Sequence, residues 1–562
     1  MPSEIKNPVT HRHVLTLFLA LGLLYYGFSW MRPLASPDEP RYGEIPREML
    51  ASGDWVAPRL NGILYFQKPP LFYWLVASAE YLGGLNNFAM RFWPAAFGLF
   101  GCLAVYLAGK RLYDKRTGLY AAAILGTTLL YFAMSQLITL DMTFSMLMSA
   151  ALLCLVVGQR EVAGPSQRKL FYAFYAFIAL AVMTKGLLAI MLPGAIIFLW
   201  FVLLSQWEKL RRIYLFSGIA IVLAIALPWH VIVASRHPEW FDFYILHEQF
   251  LRYLSNAHNR GQPIWFFVAA IMVGMMPWIS FLPQSLKTLL PGGWKKRQEH
   301  SETWFLLIWA VFVLFFFSLS KSKLFPYILP VFPPLALIIG RFWASLDEGK
   351  KKRPNLSWGY LINGVAFLII TLGLVVATRI PEVREKLNLS FMPWVNPASL
   401  VVGMFGVYWL WKAKRIPEPT IWPLFAGAAA MAILANPLIA LFQPPTIKPI
   451  VTQFQKSLKA DDLIFSYEDY FHDLPLYLKQ TVGVIEDIQE EQSFGLSWED
   501  HTDRYMKMNP FRKIWGDETK RVFVVMGRKR EERFRLHIKS GIYEVAKDEN
   551  FMVFTNIPLT IP

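Results

Sequence analysis

Residues 169–204 read KLFYAFYAFIALAVMTKGLLAIMLPGAIIFLWFVLL, two apolar runs (169–184 and 186–204) parted by a turn at Lys185. Each approaches the ~20 residues that a helix needs to cross the hydrocarbon of a bilayer, so the stretch reads as two consecutive transmembrane spans. Runs of the same kind recur outward in both directions, near residues 13–31, 91–109, 117–136, 142–158, 213–234, 264–286, 303–320, 324–345, 358–377, 398–412 and 420–442. About thirteen spans result. The composition agrees: of 562 residues, 55% are hydrophobic, 16% aromatic and only 17% charged, against roughly 25% charged in soluble proteins. Soluble, fibrous and disordered classes are excluded. Cys102 and Cys154 both fall inside apolar runs, which leaves no disulfide framework and no cysteine zinc site.

A formal charge of +16 raises the question of a nucleic-acid partner, and the positions of the basic residues answer it. They cluster in alternate connections: Lys6 and Arg12; Lys110, Arg111, Lys115 and Arg116; Arg160, Arg168 and Lys169; Lys209, Arg211 and Arg212; Lys295, Lys296 and Arg297; 350–353; Lys412, Lys414 and Arg415. These connections are cytoplasmic by the positive-inside rule, and no nucleic acid is implied. With the amino terminus inside and an odd number of spans, residues 32–90, 235–263 and 443–562 lie outside. The first run is long for a signal peptide and is followed by Arg32 and Pro33, so it is read as an uncleaved span. Residues 1–442 thus form a membrane domain whose first outer loop is 32–90. Residues 443–562 are mixed and nearly charge-balanced, with strand-like runs such as Val522 to Met526, and are expected to form a small soluble α/β domain.

The first outer loop, residues 36–74, reads SPDEPRYGEIPREMLASGDWVAPRLNGILYFQKPPLFYW. It is too long and too rich in charged and aromatic residues for an idle connection. Tyr42, Ile45 and Met49 recur at helical spacing while Arg41, Glu44, Arg47 and Glu48 take the other face, which predicts an amphipathic helix on the membrane surface. A second such segment, residues 71–82, follows Pro69 and Pro70, which set the chain direction at Lys68. Asp38 and Glu39 open the first helix, and capping its end is as natural a use for them as chemistry.

Asp141 stands in the next outer connection between apolar flanks, where an acid is a functional candidate or a cap on the following span. Lys185, with Lys321 and Lys323 of the turn SKSK, faces outside against the positive-inside bias. Such lysines either snorkel or hold an anion. Together with Arg41, Lys68 and Tyr327 they suggest a phosphate-binding chamber. His247 and Glu248 sit on an amphipathic outer segment. His247 is a candidate metal or phosphate ligand, or an interfacial histidine, since no second histidine stands at metal-ligand spacing. His258 has weaker standing.

The stretch from Asp38 to Trp74, the later RFWPAAFG, the TLDMT around Asp141 and the SKSKLFPYILP around Tyr327 resemble the bacterial lipid A aminoarabinose transferases. These are polytopic glycosyltransferases of the GT-C fold, related more distantly to protein O-mannosyltransferases. The resemblance is strongest over residues 10–340. It implies a membrane enzyme of the bacterial inner membrane, with its active site and carboxy-terminal domain on the periplasmic side. The donor it implies is a sugar on undecaprenyl phosphate, and the acceptor a phosphate of lipid A. By motif, Asp38, Glu39 and Asp141 become catalytic-region acids. Arg41, Tyr42 and Lys68 become ligands of the carrier phosphate, completed by Lys185 and Tyr327. Where the family carries an acidic residue before the lysine, this chain has Gln67. A divalent metal (Zn or Mg) shared between that position and His247 therefore loses an anionic ligand, and no cofactor is required. No protein partner is implied.

These residue types suit sugar transfer, because the departing phosphate is anionic and the anomeric carbon gains oxocarbenium character. An ionised phosphate acceptor needs no strong base, whereas a protein or glycan hydroxyl acceptor would need one, and Asp38 is the candidate. A secondary transporter is the rival from another class. It would place its charges near the midplane on broken helices, usually in two related halves, and here they gather at outer connections.

Overall fold

The computed structural model describes residues 9–244, 261–347, 354–384, 387–415, 420–487 and 492–559. It divides into two compact units, Met1–Arg32 with Arg91–Phe442, and Pro33–Met90 with Gln443–Pro562. The second unit thus unites the first outer loop, which the sequence leaves with the membrane block, with the carboxy-terminal tail.

The first unit is helical. Among the described residues the chain has eight helices long and apolar enough to cross a membrane, from Asn87–Leu112 to Trp422–Leu441. Two bent pairs, Lys115–Gly126 with Leu129–Ser135 (66°) and Phe266–Gly274 with Trp278–Leu289 (97°), raise the number to ten if each is one span. The count of thirteen is not confirmed by length and composition among the described residues, and the reason is local. The runs at 13–31 and 186–204 form helices of only 16 and 17 residues, His11–Tyr26 and Leu188–Leu204. The run at 169–184 lies in Pro165–Lys185, which also carries Arg168, Lys169 and Lys185.

Breaking a helix at membrane depth exposes backbone groups that lipid cannot bond. At the 66° bend the hydroxyls of Thr127 and Thr128 donate to the carbonyls of Ala123 and Ile124, at 2.8 and 2.7 Å. The Ala123 carbonyl also keeps the Thr127 amide (3.1 Å), whereas the Thr128 amide turns to Leu125 and leaves the Ile124 carbonyl to the Thr128 hydroxyl. Small residues let neighbouring helices close up: a Cβ on Gly109 would lie 2.9 Å from the Cα of Gly118, so only glycine permits this approach. After the first helix, Arg91 donates to the carbonyls of Ser29 (2.8 Å) and Arg32 (2.9 Å), and Arg32 in turn donates to the carbonyl of Gln136. Both arginines are buried.

The second unit is built on a six-stranded sheet. Its strands follow a hairpin formed by β1 (Arg59–Leu60) and β2 (Ile63–Leu64) and comprise β3 (Leu463–Tyr467), β4 (Gly483–Ile485), β5 (Tyr505–Met506), β6 (Val522–Gly527), β7 (Tyr543–Lys547) and β8 (Phe551–Thr555). The order is β5-β4-β3-β6-β8-β7, parallel from β5 to β6 and antiparallel beyond. Strand β6 is apolar at successive positions because both its faces are covered. Phe523 and Val525 join one core with Ile450, Phe454 and Leu474, while Val522, Val524 and Met526 join another with Phe511, Trp515 and Phe534. Burial on both faces is what a largely parallel sheet requires. The α/β expectation for the tail is met.

The outer loop supplies the helices Asp38–Ser52 and Leu71–Gly83. The first is amphipathic as expected, but its charged face does not lie in water. Glu44 and Glu48 are buried, and the helix packs on Asp473–Leu478 of the tail. The hairpin turns at Asn61 (φ 55°) and Gly62 (φ 80°), an Asn-Gly pair suited to a two-residue turn with both residues left-handed. Glu48 accepts both turn amides, at 2.5 and 2.9 Å. The Asn61 side chain exchanges two hydrogen bonds with the backbone of Val482 (2.8 and 2.9 Å) and donates to the Tyr505 hydroxyl (2.9 Å). Asn61→Ala should cost the second unit about 2–4 kcal/mol, because Val482 is left with a buried amide and carbonyl unbonded. Limited proteolysis at fixed temperature checks this. Cleavage in residues 33–90 and in the tail should accelerate together, and protection equal to wild type in both segments would contradict it.

Candidate active site

In the first unit three predicted residues come together. Asp141 lies in the first turn of Leu140–Arg160, and Lys185 is the last residue of Pro165–Lys185. These helices pack together, so the acid at one amino-terminal end meets the lysine at the other's carboxy-terminal end. Lys185 Nζ stands 2.5 Å from Asp141 Oδ1, with the two side chains only 13% and 15% exposed. Each charge also opposes the partial charge of its own helix end. The same ammonium lies over the rings of Tyr327 (4.7 Å) and Phe144 (5.3 Å). Tyr327 arrives on the 3₁₀ segment Phe325–Val331, which packs on Leu140–Arg160. Asp141 is thus on a helix rather than in a free connection. Lys323 donates to the carbonyl of Ser320 at 2.5 Å, and Lys321 is exposed.

In the second unit the DE pair divides its work. Asp38 begins its helix with its side chain 56% exposed and forms an ion pair with Arg41. Glu39 is fully buried, and its carboxylate accepts from the amide of Ala35 at 2.7 Å, so it anchors the chain before the helix. The Arg41 guanidinium lies 5.5 Å from the centre of the Tyr42 ring. Tyr42 stacks on Tyr73 (6.0 Å) and meets the edge of Phe72 (5.6 Å), both on Leu71–Gly83. Lys68 is half-buried and donates to the carbonyl of Gln67 at 2.8 Å, and the Gln67 side chain accepts from the Tyr65 hydroxyl at 3.0 Å. Asp38, Arg41 and Tyr42 therefore form one cluster. His247, Glu248 and His258 lie outside the described residues. Among the described residues no three of His, Cys, Asp and Glu gather as metal ligands.

The undecaprenyl phosphate-α-4-amino-4-deoxy-L-arabinose arabinosyl transferase 2 of Sodalis glossinidius is 31% identical over 508 residues, covering 88% of this chain and 89% of that one. The corresponding transferase of Pectobacterium carotovorum is 30% identical over 525 residues, 90% of each. The chain belongs to this family. Like other members of the arabinosyl transferase family it has a solved relative of the same architecture. ArnT of Cupriavidus metallidurans, crystallised with undecaprenyl phosphate, aligns with a TM-score of 0.82 at 27% identity, over 98% of this chain and 99% of that one. A family model for dolichyl-phosphate-mannose-protein mannosyltransferases matches residues 10–244, and one for the aminoarabinose transferase carboxy-terminal domain matches residues 450–556. An oligosaccharyltransferase of Archaeoglobus fulgidus shares the fold alone, with a TM-score of 0.51 at 13% identity. The GT-C fold is established, and membership in a family of glycosyl transferases excludes the transporter.

Several residues of this arabinosyl transferase escaped the sequence reading. Arg91 carried a readable signal, a charge at the mouth of an apolar run. The buried carboxylates Glu44, Glu48 and Glu80 had none, since their helix positions read as solvated faces. Glu44 receives two hydrogen bonds from Arg47, at 2.6 and 2.7 Å. Burial pushes Glu44 up to about 8 even so, with Arg47 opposing the rise. Glu80 is 5% exposed, and neither carboxylate oxygen meets a hydrogen-bond partner among the described residues. Burial first, and the Glu44 charge second, hold it well above the carboxylate range. Glu80, like Glu44, is therefore held toward the protonated form at neutral pH.

A carboxyl raised in the folded state stabilises that state fully only below its unfolded pKa, and the benefit is lost as pH rises through the folded value. The second unit should accordingly weaken from about pH 4.3 upward past neutrality. Glu80→Gln should remove part of that slope, raising the melting temperature at pH 9 relative to wild type but not at pH 4. Thermal melts at the two pH values test it, and a wild-type protein equally stable at both would refute the assignment.

Proposed function

We propose that the chain transfers 4-amino-4-deoxy-L-arabinose from undecaprenyl phosphate to a phosphate of lipid A, at the periplasmic face of the bacterial inner membrane. One observation carries this reading: an end-to-end match to a crystallised relative bound to undecaprenyl phosphate, supported by named arabinosyl transferases at 30–31% identity over nine-tenths of the chain.

The chemistry available suits it. As the bond from the anomeric carbon to the carrier oxygen breaks, negative charge gathers on the departing phosphate. Cations aimed there stabilise the transition state more than the ground state. In the second unit Arg41 and Lys68 are assigned to this task, Arg41 as a planar fork and Lys68 as a point charge. Tyr42 positions Arg41. In the first unit Lys185 and Tyr327 are assigned to phosphate as well, with Asp141 orienting Lys185. Asp38 is assigned to the acceptor or to positive charge on the sugar, and Glu39 supports the loop. An acceptor phosphate ionised at neutral pH needs no base, so Asp38 need not take a proton. A metal is not assigned, because Gln67 offers a neutral amide already bonded by Tyr65.

A second reading follows from the mannosyltransferase family model over residues 10–244. Here the acceptor is a protein or glycan hydroxyl, and Asp38 becomes the base.

The test is mass spectrometry of lipid A from cells lacking a related transferase, with this chain, without it, and with Asp38→Ala. A sugar-sized gain that disappears in the variant supports the first reading. Unmodified lipid A beside newly glycosylated protein supports the second. Lys68→Ala should lower the transfer rate about 10²–10³-fold, the usual cost of removing a transition-state charge contact, with little change in melting temperature. Chelator treatment should leave transfer unchanged. Loss of activity restored by zinc would reinstate the metal.

A further inference from the structure

A pocket of about 320 Å³ opens in the first unit among residues none of which serves the sites described above, a volume suited to a small-molecule ligand. It is lined by the start of the first helix (Val9, His13), by Arg116 and Tyr120 of Lys115–Gly126, by Trp343 and Asp347 of Phe332–Asp347, and by 420–422. All these helix ends adjoin connections that the positive-inside rule places in the cytoplasm. The site thus lies on the face opposite to that proposed for catalysis.

The pocket has a charged side and an apolar side. On the charged side, Arg116 faces Asp347 at 3.4 Å, and the same carboxylate accepts from the Tyr120 hydroxyl at 2.8 Å. Lys412 is not itself a lining residue; it donates to the hydroxyl of Thr420, which is, and its ammonium lies over the rings of Tyr360 (5.1 Å) and Tyr408 (5.9 Å). On the apolar side stand Leu119, Ile421 and Trp422, the last 61% exposed and set edge-on to Tyr120 at 6.5 Å. An exposed tryptophan beside basic helix ends marks the lipid interface.

Charge decides between an anionic and a cationic occupant. Among the described residues, 9–13, 110–116, 341–347, 412–415 and 420–422 hold nine Lys or Arg against two acids. One of these acids, Asp114, caps the helix at Lys115 through the amides of Arg116 and Thr117 and pairs with Arg341 at 2.8 Å. Asp347 is already shared between Arg116 and Tyr120. The local field is therefore positive, and the apolar wall extends toward the membrane. We propose that this pocket binds the headgroup of an anionic phospholipid of the cytoplasmic leaflet, with its phosphate toward Arg116, in a field to which Lys412 adds, and its glycerol and first methylenes against Trp422. Basic pockets between transmembrane helices on this side are suited to such headgroups. The proposal rests on the cytoplasmic orientation of these connections and is independent of the transfer reaction.

The test is native mass spectrometry of the full-length protein in detergent, titrated with phosphatidylglycerol, with phosphatidylethanolamine, or with inorganic phosphate. Phosphatidylglycerol should be retained in preference to phosphatidylethanolamine and should not be displaced by phosphate. Arg116→Gln and Lys412→Gln should each weaken retention about fivefold. Lys295→Gln, an exposed basic residue of another connection, should not. Trp422→Ala leaves every charge in place and should weaken retention without disturbing the ion pair, which guards against a folding defect in the charge variants. Equal retention of the two lipids overturns the proposal, as does unchanged retention in the variants. Displacement by inorganic phosphate also overturns it, since the site would then take a soluble anion.

Discussion

A lipid bilayer offers no hydrogen bonds, so every backbone group and every charge carried into it must be answered by protein. The first unit shows this at several places where it departs from a straight apolar helix. At the 66° bend, the Thr128 hydroxyl takes the Ile124 carbonyl that the broken ladder releases. After the first helix, Arg91 and Arg32 spend their donors on carbonyls of the same region. Asp141 and Lys185 are carried in only because they are carried in together, at helix ends whose dipoles favour each. Breaking such a pair by deleting one partner leaves an uncompensated buried charge. Charged chemistry is thus confined to the ends of spans.

The second unit answers to a different constraint. Residues 33–90 are too few to bury three carboxylates and a hairpin by themselves, and they borrow the tail to do it. Asn61 bonds to Val482 and Tyr505, Arg59 forms two hydrogen bonds with Glu499 at 2.7 and 2.9 Å, and Ile63 enters the core under the sheet. The loop that carries Asp38, Arg41 and Lys68 therefore owes its shape to residues some 400 positions later. This gives the tail a function although it shows no chemical motif: it holds the loop. Precision in a site comes from the shell that fixes its side chains.

This division explains what could be read from the sequence. Apolar runs were legible because spanning demands length and composition alone, although a run such as 13–31 does not fix the length of its helix, which is His11–Tyr26. Asp141 and Lys185 stood out because a charge beside apolar neighbours needs a reason. Their pairing did not, since 44 positions and the length of two helices separate them along the chain. The helix at residue 38 was legible from its periodicity, but its charged face was assigned to water, and Glu44 and Glu48 are buried. Nothing local distinguishes a solvated glutamate from one that a distant domain covers. The Asn-Gly turn at 61 and 62 was a readable hairpin signal.

The ion pair in the first unit bears on how Lys185 acts in the proposed reaction. A phosphodiester donor carries one negative charge, and the released phosphate monoester carries between one and a half and two. Asp141 competes with the donor for Lys185 and so limits how tightly the ground state can be held. As the glycosidic bond breaks and charge builds on phosphate, that competition shifts away from Asp141. An unpaired lysine would hold the donor more tightly as well, so that part of its attraction would lower the ground state rather than the barrier. The pair also fixes the ammonium before substrate arrives, held at 4.7 Å from the Tyr327 ring, so that little reorganisation remains for the reacting step. In the proposed reaction Asp141 would thus act by moderating its partner, a role that requires no proton transfer.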